Sequence, residues 1–180
     1  MSKCVPFWDF DENKNYVSIS INGKNYKVLN LPDAYQAATL MYEIDLFIHK
    51  KISNLRSILH RFNLPLRNNM ELLSSTPFSV QEMQVSSKNC PVYFEGLNKP
   101  KNVRRLKKVA IIGKDENLRA ERRTIFFKIR NRNGKLKSLK QLESLIIHEI
   151  AHTACNHVRW RDDDHGADFK LCEHVITMYI

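Results

Sequence analysis

The chain of 180 residues holds only five glycines, six prolines and four cysteines, and each shortage closes off a class of protein. So few Gly and Pro exclude a collagenous repeat or a low-complexity linker as the bulk of the chain. Cys4, Cys90, Cys155 and Cys172 form no C-x-x-C pair, so neither a disulfide framework nor a cysteine-based zinc ribbon is indicated. They read as thiols of a reducing compartment, and none is given a role. No run approaches the roughly 18 to 20 apolar residues that span a bilayer, and Met1 to Phe10 lacks the apolar stretch of a signal peptide. The expected address is intracellular, cytoplasm or nucleus, with no membrane partner. What is present, 43% hydrophobic and 27% charged residues, fits one globular domain with a core of its own.

Acidic residues are also scarce, 19 against 29 Lys and Arg, for a net charge of +10. The excess is local: residues 97–140 hold 16 basic residues and three acids, +13, which leaves −3 for the rest of the chain. A solvated, soluble surface explains part of this. The density at Arg104, Arg105, Lys107 and Lys108 points further, to phosphate contacts and hence to a nucleic acid as a partner, ahead of an anionic membrane surface. It carries no information about base sequence.

Along the chain, Val17-Ser18-Ile19-Ser20-Ile21 alternates with period two, and Asn22-Gly23 followed by a second extended stretch through Tyr26 and Val28 predicts a hairpin. From Pro32-Asp33 the apolar residues recur at three and four, which predicts one long amphipathic helix from about 33 to 62, closed by Asn63-Leu64-Pro65. Residues 66–90 read as a loop with one small element at most. Val109-Ala110-Ile111-Ile112 and Thr124 to Ile129 read as strands. A helix follows Asn133-Gly134 with Ser138 as its N-cap and Leu139, Leu142, Leu145, Ile146 and Ile150 turned inward. A last short helix covers about 167–179. The fold class is α+β, a small sheet in front of helices.

The chemistry is concentrated in His148-Glu149-Ile150-Ala151-His152, an H-E-x-x-H motif inside that helix. Residues four apart on a helix differ by about 40° in azimuth, so His148 and His152 project from one face and can meet one ion. Glu149 stands about 100° round from His148, where its carboxylate can address a water without displacing it from the ion; it is the expected general base. Zinc with three protein ligands keeps one position open. His165, thirteen residues beyond His152, is the favoured third ligand. His157 falls on the opposite face of a continuous helix, and Cys155 stands where a metzincin has Gly. Glu173 is the weaker rival, as in sites that take a downstream helical Glu. Asp162, Asp163, Asp164 and Asp168 are candidates for the carboxylate that orients a ligand histidine.

These residues bring the chain close to a known family. It resembles the WLM metalloproteases, relatives of the SprT/Spartan family of DNA-dependent proteases. Lys27-Val28-Leu29 with Pro32-Asp33 resembles the family's opening segment, and Glu95-Gly96-Leu97-Asn98 is similar to its Gly-Leu-Asn turn. Phe126-Lys128-Ile129-Arg130 resembles its edge strand beside the cleft, and Leu145 to Glu149 the start of its active helix. His165-Gly166-Ala167-Asp168-Phe169 is similar to the H-G-x-x-F that supplies the third ligand in the SprT branch. The spacer between His152 and His165 is closer to the Spartan kind. The resemblance covers residues 24–180 and makes 1–23 an N-terminal extension with the first hairpin strand. It implies a zincin-like catalytic domain with Zn2+ on His148, His152 and His165, in which a long N-terminal helix and the active helix pack on a small sheet. It further implies cleavage of proteins bound or crosslinked to DNA, as in DNA–protein crosslink repair. No ubiquitin-, SUMO- or clamp-binding tail is expected. Two rival readings are a metallopeptidase indifferent to DNA and a nucleic-acid-binding module with a structural zinc.

Overall fold

In the computed structural model, which describes residues 15–83, 96–100, 123–131, 133–155 and 165–179, the period-two alternation becomes strand β1 (Tyr16–Ile21), paired antiparallel with β2 (Lys24–Leu29) from Tyr16↔Leu29 to Ile21↔Lys24. Asn22 and Gly23 turn the chain at positive φ, 49° and 77°, the turn whose twist matches a hairpin and which Asn-Gly favours. The predicted long helix is α1 (Ala34–Ile58), followed by one 3-10 turn at Leu59–Arg61. Ala37, Met41, Ile44, Ile48 and Leu55 are wholly buried along it.

The sequence reading fails next. Residues 64–82 are not a loop: they form α2 (Leu64–Ser75) and β3 (Phe78–Glu82). Asn63-Leu64-Pro65 starts a helix instead of ending one. The Asn63 side chain accepts from the Leu66 N–H, 3.4 Å, and Pro65 sits in the first turn, where a missing N–H costs nothing. Met70 and Leu73 are then turned into the core.

β3 runs parallel to β2, with Lys27 opposite Gln81, and parallel to β5 (Arg123–Phe127), from Phe78↔Arg123 to Glu82↔Phe127. β4 (Gly96–Pro100) pairs antiparallel with β5, Gly96 opposite Phe127. The described sheet is mixed, in the order β1-β2-β3-β5-β4. Two expectations change. Phe126 and its neighbours do not form an edge strand, because β5 is flanked on both sides, and the outermost place beside it belongs to β4, whose Gly-Leu-Asn was read as a turn. The strand expected at Val109 to Ile112 lies outside the described residues.

Helix α3 (Leu139–Ala154) opens with a reciprocal cap: the Ser138 side chain accepts from the Gln141 N–H while the Gln141 side chain accepts from the Ser138 N–H, satisfying two backbone donors that a helix start leaves unpaired. Helix α4 (Ala167–Met178) follows Gly166. One core joins Tyr26, Val28, Val80, Ile125 and Phe127 of the sheet to Met41, Ile44, Met70, Ile146, Ile150, Phe169 and Cys172 of the four helices. The fold is therefore α+β. Among the described residues no helix is long and apolar enough to cross a membrane.

Two ion clusters tie the elements together. Asp45, buried on α1, is paired with Lys24 and accepts from the Tyr26 hydroxyl at 2.8 Å, which locks the hairpin onto the helix. At the carboxyl ends of β2 and β3, Glu82 is fully buried and accepts from the Leu29 N–H and from Arg130 Nε, both at 2.7 Å. Arg130 Nη1 donates also to Asp33 at 2.6 Å and to the Gly134 carbonyl at 3.1 Å. This clamp fixes the turn from which α3 is launched.

Candidate metal centre

His148 and His152 leave one face of α3, as their spacing requires. His165 approaches from the residue before Gly166, the N-cap of α4. One nitrogen from each of the three rings can be chosen so that all lie within 4.8 Å of one another. Ring centroids are 4.9 Å apart for His148–His152 and for His148–His165, and 5.2 Å for His152–His165. Phe169, 1% exposed, lies beneath all three at 5.0, 4.6 and 4.7 Å. It is an apolar floor that limits how far any ring can tilt.

The donor chemistry can be worked out at His148. Its Nδ1 lies 3.0 Å from Glu173 Oε1 on α4. An ionised carboxylate only accepts, so the Nδ1 carries the proton and the Nε2 carries a lone pair. That Nε2 is 3.1 Å from Nε2 of His165. Two lone pairs at this distance repel unless a cation or a proton lies between them. Two imidazoles on one tetrahedral ion, with Zn–N of about 2.0 to 2.1 Å, would hold their nitrogens about 3.3 Å apart. The residues present therefore fit a metal ion held by His148, His152 and His165. The site faces outward enough to exchange it, since His148 and His152 are half-buried and His165 is exposed.

Glu149 lies on the neighbouring face of α3, 4% exposed, against the main chain of β4. A methyl group on Gly96 would overlap Glu149 Oε1 and stand 2.7 Å from its Cγ and Cδ, so the strand approaches the carboxylate as closely as only glycine permits. Burial pushes the Glu149 carboxyl up to about 8, because the charged form loses its hydration.

At His148 the carboxylate in contact is Glu173, which was not among the four aspartates expected to orient a ligand histidine. Asp168 is exposed, and its main-chain carbonyl is what meets a neighbour, Cys155 Sγ at 3.4 Å; Asp162, Asp163 and Asp164 lie outside the described residues. Glu173 takes that position. It meets Nδ1 of His148, the nitrogen that does not face His165, while the donor atoms that converge are those of the three histidines. The signal was available: Phe169 and Glu173 are four apart and share the face of α4 turned to α3. Gly96 gave no such signal, since its neighbour Glu149 is far along the chain. The basic residues Arg104, Arg105, Lys107 and Lys108 lie outside the described residues, as does His157.

Fold and site together define an α+β protein with a three-histidine cluster able to hold a metal ion. No protein-family model, no curated protein and no solved structure matches the chain.

Proposed function

We propose that this protein is a zinc-dependent endopeptidase with a zincin-like domain, related to the WLM and SprT/Spartan proteases, and that it acts on DNA-bound or DNA-crosslinked proteins. The convergence of His148, His152 and His165 beside a buried Glu149 carries the reading. Three neutral imidazoles suit zinc and leave one position of a tetrahedron for water or substrate. Zinc held there would supply a Lewis acid for the scissile carbonyl and lower the pKa of water toward about 7. Glu149 in its ionised form takes the proton of the attacking water and returns it to the leaving amine. Glu173 keeps the His148 proton on Nδ1 through both transfers, and Phe169 keeps the rings from rotating out of line.

The DNA part of the proposal is supported by charge. Residues 97–140 hold 16 basic residues against three acids; Arg123, Lys128 and Arg130 are buried, and the others would give a polyanion a place to bind, raising the effective concentration of an attached protein at the metal.

The test is cleavage of a DNA-binding substrate protein by the zinc-loaded chain, with and without single- and double-stranded DNA, against Glu149→Gln. The expected outcome is DNA-stimulated cleavage that declines as salt rises, with the variant slower by about 10²- to 10⁴-fold in kcat while its zinc content is unchanged. Cleavage indifferent to DNA would leave a plain peptidase. No cleavage, with zinc and DNA both bound, would leave a binding module.

A further inference from the structure

Away from the metal centre, one stretch of the described surface carries charge that the fold does not use. Residues 46–70 hold five Lys and Arg and no acid, whereas a surface built only for solubility intersperses the two signs. Three of the five have partners. Arg56 donates to the Ser74 carbonyl, Arg67 pairs with Glu71 at 2.9 Å, and Lys51 lies over the Phe47 ring at 4.6 Å. Lys50 and Arg61 are exposed and, among the described residues, meet neither a hydrogen-bond nor an ion-pair partner. A helix C-terminus attracts cations within its last turn, which accounts for Arg61 and not for Lys50, about two turns before the end of α1 at Ile58.

Lys50, Asn54, Ser57 and Arg61 follow one another at four, three and four, the spacing of one face of α1 carried into its 3-10 turn, and all four are exposed. The stripe is about 16 Å long, a length over which one strand of a DNA duplex carries about five phosphates. It has a cation at each end and uncharged polar side chains between them. From Lys50 to Arg61 no large apolar side chain is exposed, so the stripe lacks the Trp, Phe or Leu with which a basic helix enters a lipid surface. Its far end adjoins the helix that carries the metal site: Phe62, next to Arg61, packs edge-on against Tyr179 with ring centroids 5.6 Å apart. Tyr179 closes α4 and Gly166, which follows His165, opens it, a helix length of about 20 Å.

We infer that the stripe from Lys50 to Arg61 is a binding surface for nucleic-acid phosphates, separate in the sequence from the basic residues around Arg104. Lys50 and Arg61 each neutralise a phosphate, and the exposed amide of Asn54 supplies a neutral donor between them. Such contacts position a strand without reading its bases. A strand held there lies about one α4 length, about 20 Å, from the histidine cluster, which brings a protein attached to it to the metal and leaves the open side of the site to that protein. The inference rests on the reading of DNA as the partner and is independent of proteolysis.

The test is the fluorescence anisotropy of labelled single-stranded and duplex DNA, titrated with the zinc-loaded full chain over a series of salt concentrations. The wild type is compared with the double variant Lys50→Gln/Arg61→Gln and with Lys170→Gln, which removes an exposed charge from α4. The double variant should bind about 10- to 30-fold more weakly at physiological salt, whatever the base sequence, with a plot of log K against log salt shallower by about 1.4 to 1.8. Lys170→Gln should bind as the wild type does. Acetylation of Lys50 in the wild type, read by peptide mapping, should slow when DNA is bound; this measurement decides the matter even if the double variant misfolds. Equal losses in the double variant and Lys170→Gln would reduce the effect to net charge. A wild-type slope in the double variant, with binding lost instead in Arg104→Gln/Arg105→Gln, would assign the phosphates to the other basic region. Either result overturns the stripe and leaves DNA as the partner. Capture of phosphatidylserine vesicles that is lost in a double variant still binding DNA would make the stripe a lipid surface and overturn it too. No DNA binding by the wild type would remove the partner itself, and with it the DNA part of the proposed function.

Discussion

The Arg130 clamp and the histidine cluster are both knots of polar side chains that join distant parts of the chain, but they are assembled on opposite rules. In the clamp every charge meets its opposite: Glu82 and Asp33 close on Arg130, and the backbone supplies the Leu29 N–H and the Gly134 carbonyl. In the cluster three like donors converge, two of them with nitrogens 3.1 Å apart, and the carboxylate of Glu173 meets His148 at its other nitrogen instead of standing between the rings. A charge met by its opposites is neutralised as folded, even with Arg130 Nη2 left without a partner. A group of lone pairs facing one another needs a proton or a cation between them, and three of them can share one metal ion.

The comparison breaks if the two knots respond alike to losing a member. Arg130→Met should cost about 3 to 5 kcal/mol in urea unfolding, because Glu82 would stay buried without its countercharge; pairing it with Glu82→Gln should recover a large part of that. His148→Ala should change the stability of the metal-free protein by less than about 1 kcal/mol, since the ring is half-buried and takes a lone-pair repulsion away with it, while equilibrium dialysis shows zinc binding lost. Equal destabilisation by both would mean that the histidines are also a structural knot.

Two smaller changes sharpen the cluster side. Glu173→Gln removes the charge that fixes the His148 tautomer and should weaken zinc about 10- to 100-fold in competition with a chelator, leaving the apo fold intact; unchanged affinity would make the 3.0 Å contact incidental. Gly96→Ala should leave zinc affinity and KM alone but lower kcat by up to about 100-fold, because the new methyl displaces the Glu149 carboxylate by about an ångström. This second effect rests on the proposed protease activity. A variant with wild-type kcat would show that Glu149 does not work from the position pressed against β4.

What could be read beforehand follows a physical division. The H-E-x-x-H helix was legible because its signals are local: apolar residues at helical spacing, Ser138 at the start, two histidines one turn apart. The hairpin was legible for the same reason at Asn22-Gly23. Helix α2 and strand β3 were not, since Asn63-Leu64-Pro65 is as good an ending as a beginning until Met70 and Leu73 are seen to have a core to enter. Glu82 and Arg130 were illegible in kind. They lie 48 residues apart, and a buried charge looks like any surface charge in a sequence. His165 fell between, reached through the ligand count of zinc and a family resemblance, with Glu173 as its rival; the two meet opposite nitrogens of His148.

The clamp should also leave a signature in the dependence of stability on pH, smaller than any effect above. Arg130 donates to Asp33 and holds its carboxyl below the ordinary range, whereas burial outweighs the two donors of Glu82 and raises it. A depressed carboxyl contributes stability that is complete above its unfolded pKa and is lost as pH falls through the folded one; a raised carboxyl contributes stability that is complete below its unfolded pKa and is lost as pH rises through the folded one. The two acids on one guanidinium therefore tilt the curve in opposite senses. Asp33 weakens the protein on the acid side of about pH 4, and Glu82 weakens it as pH climbs above about 4.3. Because Asp33 is 38% exposed, its share should stay under about 1 kcal/mol after solvent screening. Urea midpoints measured from acid to neutral pH should show a flatter acid limb in Asp33→Asn and a wild-type limb above it, while Glu82→Gln flattens the other side. An acid limb as steep in Asp33→Asn as in the wild type would mean that Arg130 is held by Glu82 and the backbone alone.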